Sequence, residues 1–323
     1  MALNLLTSLP RQRGLLGVEK ATLAYTLLTT VLILLFRDEM SAPLRLLMGR
    51  SFVLLGMAAT MAVYYAAPNR ATLILRTIYP LTLLSYWYPD TYEFCQLFPN
   101  LDYVFAGVDQ ALFSCQPSLE FARHLPSVVW SELFHLGYFS YYPLIFLTAL
   151  APLFCRRELF GETAYIILAS FLVYYLIYLF LPVAGPQYYF HAVGLEEIEA
   201  GRFPMLGDYF RHHTELRPST APEGLFCSLV EATQASGERP TAAFPSSHVG
   251  MSTILMMLLS RTKRPLLLGA LPFYILLCLS TVYIEAHYLI DSLCGLFSAP
   301  LVYTLAHRLY EVQRNRRMGP EFA

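Results

Sequence analysis

Runs of about 20 apolar residues recur along the whole of this 323-residue chain, and a run of that length is what one helix needs to cross the hydrocarbon of a bilayer. Backbone surrounded by lipid must satisfy its own hydrogen bonds, so the fold open to such a chain is an all-α integral membrane protein, a polytopic helix bundle. Composition agrees, with 56% hydrophobic, 15% aromatic and only 14% charged residues, well away from soluble usage. About eight spans are expected, at 18–36, 51–67, 71–88, 127–154, 162–182, 247–260, 266–284 and 287–306. The third and sixth are the weakest; Arg76 and Pro80 interrupt the third, which points to a kinked or re-entrant segment.

Short polar joints separate most spans, but two connections, 89–126 and 183–246, are long, and loops of that length in a compact protein are usually functional or disordered. Lys and Arg collect at cytoplasmic ends. Alternating the eight spans puts 13 of the 22 basic residues on the side of both termini and 8 on the other, with Arg76 inside a span. Both termini are therefore expected to be cytoplasmic, with the two long loops outside. The first apolar run lacks a small-residue cleavage site, so no cleavable leader is expected. A net charge of −1 gives no footprint for nucleic acid, and the basic stretch 307–323 reads as a cytoplasmic tail. The six cysteines show no metal-ligand spacing. Cys155, Cys278 and Cys294 suit a reduced, packing role, whereas Cys95, Cys115 and Cys227 fall in the outer loops, where a disulfide such as Cys95–Cys115 stays open.

Two polar clusters stand out against this apolar background. "AFPSSH" places Pro245, Ser246, Ser247 and His248 directly before an apolar run, and "STVYIEAHYLID" carries His287 and Asp291 four residues apart. On a helix that spacing puts both side chains on one face, within reach of each other. The expected topology brings the start of the sixth span and the junction of the last two to the same membrane face. Two histidines and an aspartate converging there suit phosphoryl transfer. His287 would attack phosphorus, Asp291 would orient its ring, and His248 would give a proton to the leaving alkoxide and later take one from the incoming hydroxyl. Ser246 and Ser247, at a helix start with free N–H groups, and loop arginines would bind the phosphate oxygens. The same three residues could hold zinc, and intramembrane histidines can also line a transport path.

These residues resemble the type 2 phosphatidic acid phosphatase superfamily of membrane phosphatases and phosphotransferases. Its Pro-Ser-Gly-His motif is similar to Pro245-Ser246-Ser247-His248, and its Ser-Arg-x5-His-x3-Asp motif to Ser280-Thr281-x5-His287-x3-Asp291. Thr281 stands where the phosphatases have a phosphate-gripping arginine, a departure shared with the inositol phosphorylceramide synthase-like branch. "YFSYYP" at 138–143 and "LFLPVAGPQYYF" at 179–190 also look like segments of that branch. The first phosphatase motif, Lys-x6-Arg-Pro, is not matched. Arg217-Pro218 and Arg239-Pro240 supply only its dipeptide, leaving Arg239 and then Arg217 as the expected phosphate-binding arginines.

The resemblance implies a six-helix catalytic core in a membrane domain at 127–306, after an N-terminal membrane segment at 1–126. It implies an enzyme that needs no metal and no cofactor. Its partners would be a phospholipid or lipid-phosphate donor reached from the outer side of the membrane and a lipid alcohol acceptor such as ceramide. A lipid phosphate phosphatase, with water as acceptor, is the alternative, and a zinc-dependent membrane amidase or a transporter stands behind it.

Overall fold

In a computed structural model describing residues 5–217 and 224–318, the chain is helical, with no β-strand among the described residues. In chain order the helices are α1 (Gly17–Leu35), α2 (Pro43–Ala66), α3 (Arg70–Thr82), α4 (Leu84–Cys95), α5 (Asp102–Phe113), α6 (Pro117–His124), α7 (Val128–Phe139) and α8 (Tyr141–Cys155). They continue with α9 (Phe160–Phe180), α10 (Pro186–Val193), α11 (Leu195–Glu199), α12 (Leu225–Gly237), α13 (Ser247–Thr262), α14 (Arg264–Tyr283) and α15 (Leu289–Met318). Six stretches are long and apolar enough to cross a membrane: Gly17–Leu35, Pro43–Ala66, Val128–Cys155, Arg157–Phe180, Arg264–Tyr283 and Leu289–Asn315.

The two remaining expected spans fall short for different reasons. The third is broken into α3 and α4 around Leu83, with Pro80 and Pro89 each removing a helix donor. The sixth, α13, has 16 residues, which at 1.5 Å per residue is about 24 Å. It is nonetheless a core helix, buried along most of its length and packed against α8, α9, α14 and α15. The span Val128–Cys155 is also interrupted. Pro143 has no N–H to offer the carbonyl of Phe139, and the chain breaks at Ser140 between α7 and α8.

α9 is the axis of the bundle. Sixteen of its 21 residues are buried, as a helix apolar on all sides must be, and α1, α3, α4, α8, α13 and α15 pack around it. One cluster of buried apolar side chains runs from Leu16, Tyr25 and Trp87 through α9 to Leu255, Leu259 and Ala306. Buried charge around this axis is paired. Arg76 of α3, fully buried, donates to the Glu19 carboxylate of α1 and, at 2.7 Å, to the carbonyl of Gly14. Arg50 of α2 meets Asp90 of α4 in a two-pronged pair at 2.6 and 2.7 Å. Arg76 is thus tolerated in the apolar interior because Glu19 neutralises it. Cys95 and Cys115 form no disulfide. The buried Cys95 thiol instead faces the Tyr178 carbonyl at 2.7 Å and the Thr241 hydroxyl at 2.8 Å.

Glu19→Gln removes the carboxylate paired with the buried Arg76 guanidinium and will cost about 3–5 kcal/mol of stability, measured as a lowered thermal midpoint in detergent. Arg37→Ala, in an exposed contact with Asp38, will leave the midpoint unchanged.

Candidate active site

Three segments meet at one end of the bundle: 182–187 between α9 and α10, 241–247 before α13, and 284–291 between α14 and α15. Backbone hydrogen bonds join them like short ladders. Ala243 N–H donates to Val183 (3.0 Å), Gln187 N–H to Glu285 (2.9 Å) and Ser246 N–H to Asp291 (3.0 Å). Two glycines permit the approach. A Cβ at Gly185, which has φ +98°, would lie 2.7 Å from the Ala286 carbonyl oxygen, and one at Gly295 would lie 2.4 Å from that of Ser246. Ala242 and Glu285 both take positive φ, 68° and 61°, conformations costing on the order of 1–3 kcal/mol each for residues with a Cβ. Such strain persists only where surrounding bonds over-determine it.

Within this junction the two histidines are adjacent. Nδ1 of His248 lies 3.3 Å from Nε2 of His287. The other ring nitrogen of His287, Nδ1, is 2.8 Å from the carbonyl oxygen of Ala243. A carbonyl can only accept, so Nδ1 carries the proton and Nε2 keeps its lone pair. The expected grip of Asp291 on this ring is divided. Its carboxylate stands 3.7 Å from Nδ1, close enough to favour a developing imidazolium, while Oδ2 accepts the N–H of Tyr288 at 3.0 Å. His287 lies in the connection between α14 and α15 and is 4% exposed. Burial pushes its pKa down to about 4, opposed by the Ala243 bond. His248, half-buried, sits between the rings of Tyr138 and Tyr141, at 4.7 and 4.5 Å between centroids. The break at Ser140 places one tyrosine on each side of it.

The expected phosphate-binding residues are scattered around this pair. Ser246 caps α13, its hydroxyl accepting the N–H of Val249 at 3.3 Å. Ser247 is buried, its N–H given to the Tyr178 hydroxyl (3.0 Å), which in turn donates to Pro245 (2.8 Å). Arg217 reaches the histidines only through its partner: it pairs with both oxygens of Glu285, two residues before His287 in the chain, at 2.8 and 3.0 Å. Burial raises the Glu285 pKa, and Arg217 opposes the rise. Arg239 is exposed and donates to the carbonyl of Glu238, so it does not join the histidines; Pro218 lies outside the described residues. Thr281, in the position of the phosphatase arginine, is fully buried. Its carbonyl accepts the N–H of His287 at 2.9 Å and its hydroxyl meets that of Ser292 at 3.0 Å. Among the described residues no group of three or more His, Cys, Asp or Glu is placed to hold a metal ion.

Several residues of the site were not singled out as such by the sequence. Tyr138 and Tyr141 belong to the stretch "YFSYYP", which marks no individual tyrosine, and Tyr178 is hidden among 23 tyrosines. Glu238, whose carboxylate accepts from the Gln187 amide at 3.1 Å, is pushed up to about 7 by burial. Asp102 and Asp109 of α5 reach the same junction, and burial pushes each up to about 6 against the hydrogen bonds it accepts. Their signal was available as two acids seven residues apart in the otherwise apolar "LDYVFAGVDQALF".

A family model described as the PAP2 superfamily matches residues 104–305, from within α5 to within α15. No curated protein and no solved structure matches the chain.

A pKa pushed down to about 4 keeps His287 neutral at neutral pH, with its Nε2 lone pair available. In an NMR titration of histidine-labelled protein in detergent, the ring signal absent from His287→Ala will titrate near 4; a midpoint near the ordinary value of about 6.5 contradicts the assignment. The unfolded chain takes up this proton at higher pH than the folded one. The stability tied to neutral His287 is therefore present above about 6.5 and lost as pH falls toward 4.

Proposed function

The chain belongs to the PAP2 superfamily and is thereby a membrane lipid enzyme of the phosphatase and phosphotransferase type; on that premise we propose that it moves a phosphoryl or phospho-head group, such as phosphoinositol, to a lipid alcohol such as ceramide through a phosphohistidine-type intermediate at His287. The observation that carries the reading is the Nδ1–Ala243 bond, which leaves Nε2 as the nucleophilic nitrogen and directs it at His248.

In the first step the Nε2 lone pair forms an N–P bond as the P–O bond to the lipid alkoxide breaks, and protonated His248 gives its proton to that alkoxide. In the second, neutral His248 takes the proton of the acceptor hydroxyl, whose oxygen bonds phosphorus as the N–P bond breaks. The Asp291 carboxylate, 3.7 Å from Nδ1, stabilises the positive ring in both steps. Phosphate oxygens would meet Ser246, Ser247 and the α13 N-terminus. Arg217 would contribute on exchanging Glu285 for phosphate. Arg239, exposed and turned to its own neighbour's carbonyl, is the weaker partner. No metal or cofactor takes part in this scheme. The active site would face the periplasm, a lumen or the outside, with the termini cytoplasmic, as the basic residues suggest.

Transfer is favoured by Thr281, tied to Ser292 and unable to grip phosphate, together with the synthase-like motifs. Hydrolysis is the second reading, and the half-buried His248 is the observation behind it, since a ring partly open to solvent can activate water.

Purified protein in detergent, with chelator present, is incubated with phosphatidylinositol and ceramide or, separately, with phosphatidic acid, and both new lipid and free phosphate are assayed. The expected outcome is a ceramide-bearing phospholipid whose formation falls by on the order of 10³-fold or more in His287→Ala. Free phosphate alone, lost in the same variant, establishes the phosphatase reading. Turnover that persists in His287→Ala overturns both.

A further inference from the structure

The long connection between α4 and α7 carries α5, and α5 brings two buried carboxylates to the catalytic turn. Asp102 and Asp109 are seven residues apart, two helical turns, so they share a face, and both are fully buried. Asp102 accepts from the N–H groups of Ala184 (2.7 Å) and Gly185 (2.8 Å), from the Asn100 amide (2.6 Å) and from the Tyr288 hydroxyl (3.0 Å). Asp109 accepts from the N–H groups of Leu289 (2.8 Å) and Ile290 (3.0 Å), one on each oxygen.

Those two N–H groups are the first of α15 and have no partner within their own helix. The residue before them, Tyr288, cannot cap it, because a cap needs a short side chain with an acceptor oxygen, and its hydroxyl is committed to Asp102. The missing cap is therefore supplied by a residue 180 positions earlier, with a negative charge where the helix dipole favours one. α12 is capped in a comparable way, by Glu132 of α7 on the N–H groups of Phe226 and Cys227. Burying a carboxylate costs several kcal/mol before its bonds are counted, so two of them on one face of a short helix mark a geometry that apolar packing alone would not fix.

We propose that Asp102 and Asp109 are positioning residues of the transfer reaction: through them α5 clamps the His287–Asp291 turn against the 183–186 segment and fixes the direction of His287 Nε2. This rests on His287 being the nucleophile, as read above. Asp109 sets where α15 begins, and with it the height of Asp291 relative to the ring. Asp102 ties Tyr288, the neighbour of His287, to the backbone that also holds Ala243 through Val183.

The test compares Asp109→Asn and Tyr288→Phe with the wild type, using phosphatidylinositol with ceramide and phosphatidic acid as substrates. Asn at 109 can accept only one of the two N–H groups, and Phe at 288 deletes a single hydroxyl, so one variant is available even if the other folds poorly. Each is measured for kcat, KM and thermal midpoint in detergent. The expected result is a fall in kcat of up to about 10²-fold with KM within about twofold, as follows when a reacting atom is displaced without loss of substrate contacts. A lowered midpoint with wild-type kcat per folded enzyme overturns the proposal and leaves the two acids purely structural. His287→Ala is run alongside. Activity surviving in it removes the nucleophile and the clamp with it, whereas loss there beside wild-type kcat in Asp109→Asn and Tyr288→Phe overturns the clamp alone.

Discussion

The hydrogen bond from His287 Nδ1 to the Ala243 carbonyl is the interaction on which the chemistry of this junction depends. It decides which ring nitrogen carries the proton, and it does so with a backbone oxygen, which cannot rotate away as a side chain can. For that oxygen to be in place, residues 241–247 must lie beside 284–291. Everything around the site serves that apposition: the N–H of Ala243 on Val183, the N–H of Ser246 on Asp291, and the two glycines where backbones touch. Ala242 and Glu285 hold unfavourable backbone angles on either side of the contact, which is where strain is expected when a site is fixed by its surroundings.

The second constraint is the membrane, which makes any unpartnered polar group expensive. Arg76 answers to Glu19, Arg50 to Asp90, and the first N–H groups of α15 to Asp109. Each partnership joins elements far apart in sequence, so the demand for polar satisfaction doubles as the device that orders the helices. Tyr178 follows the same rule. Tyr178 is buried against α13 and spends its hydroxyl on Ser247 and Pro245, bracing the segment that leads into His248.

Much of this was legible in the sequence because apolar length and polar punctuation are strong signals. The expected runs at 18–36, 51–67, 162–182, 266–284 and 287–306 became α1, α2, α9, α14 and α15, the fourth became α7 and α8, and the two weakest became a broken pair, α3 and α4, and a short core helix, α13. His248, His287 and Asp291 stood out because histidine and aspartate are rare beside membrane helices, and the structure brings all three together. The partner of His287 Nδ1 was not legible, since a backbone carbonyl has no signature and the four-residue spacing points to Asp291 instead. Arg217 illustrates the limit on the phosphate-binding residues. Its basic charge was visible, but its commitment to Glu285 depends on the left-handed turn at 285, which no local rule for glutamate anticipates. Asp102 and Asp109 were hidden for a related reason, because their partners are main-chain groups in other segments.

The most direct test of the account is to find where phosphorus resides during turnover. Protein mixed with a phosphorus-labelled lipid donor in detergent is quenched within the first turnover in alkali, digested and mapped by mass spectrometry. The expected result is an acid-labile, alkali-stable phosphoryl or phospho-head-group adduct on the peptide containing His287, attached through Nε2 and absent in His287→Ala. Label on a different residue, or continued turnover with no covalent adduct, would contradict it.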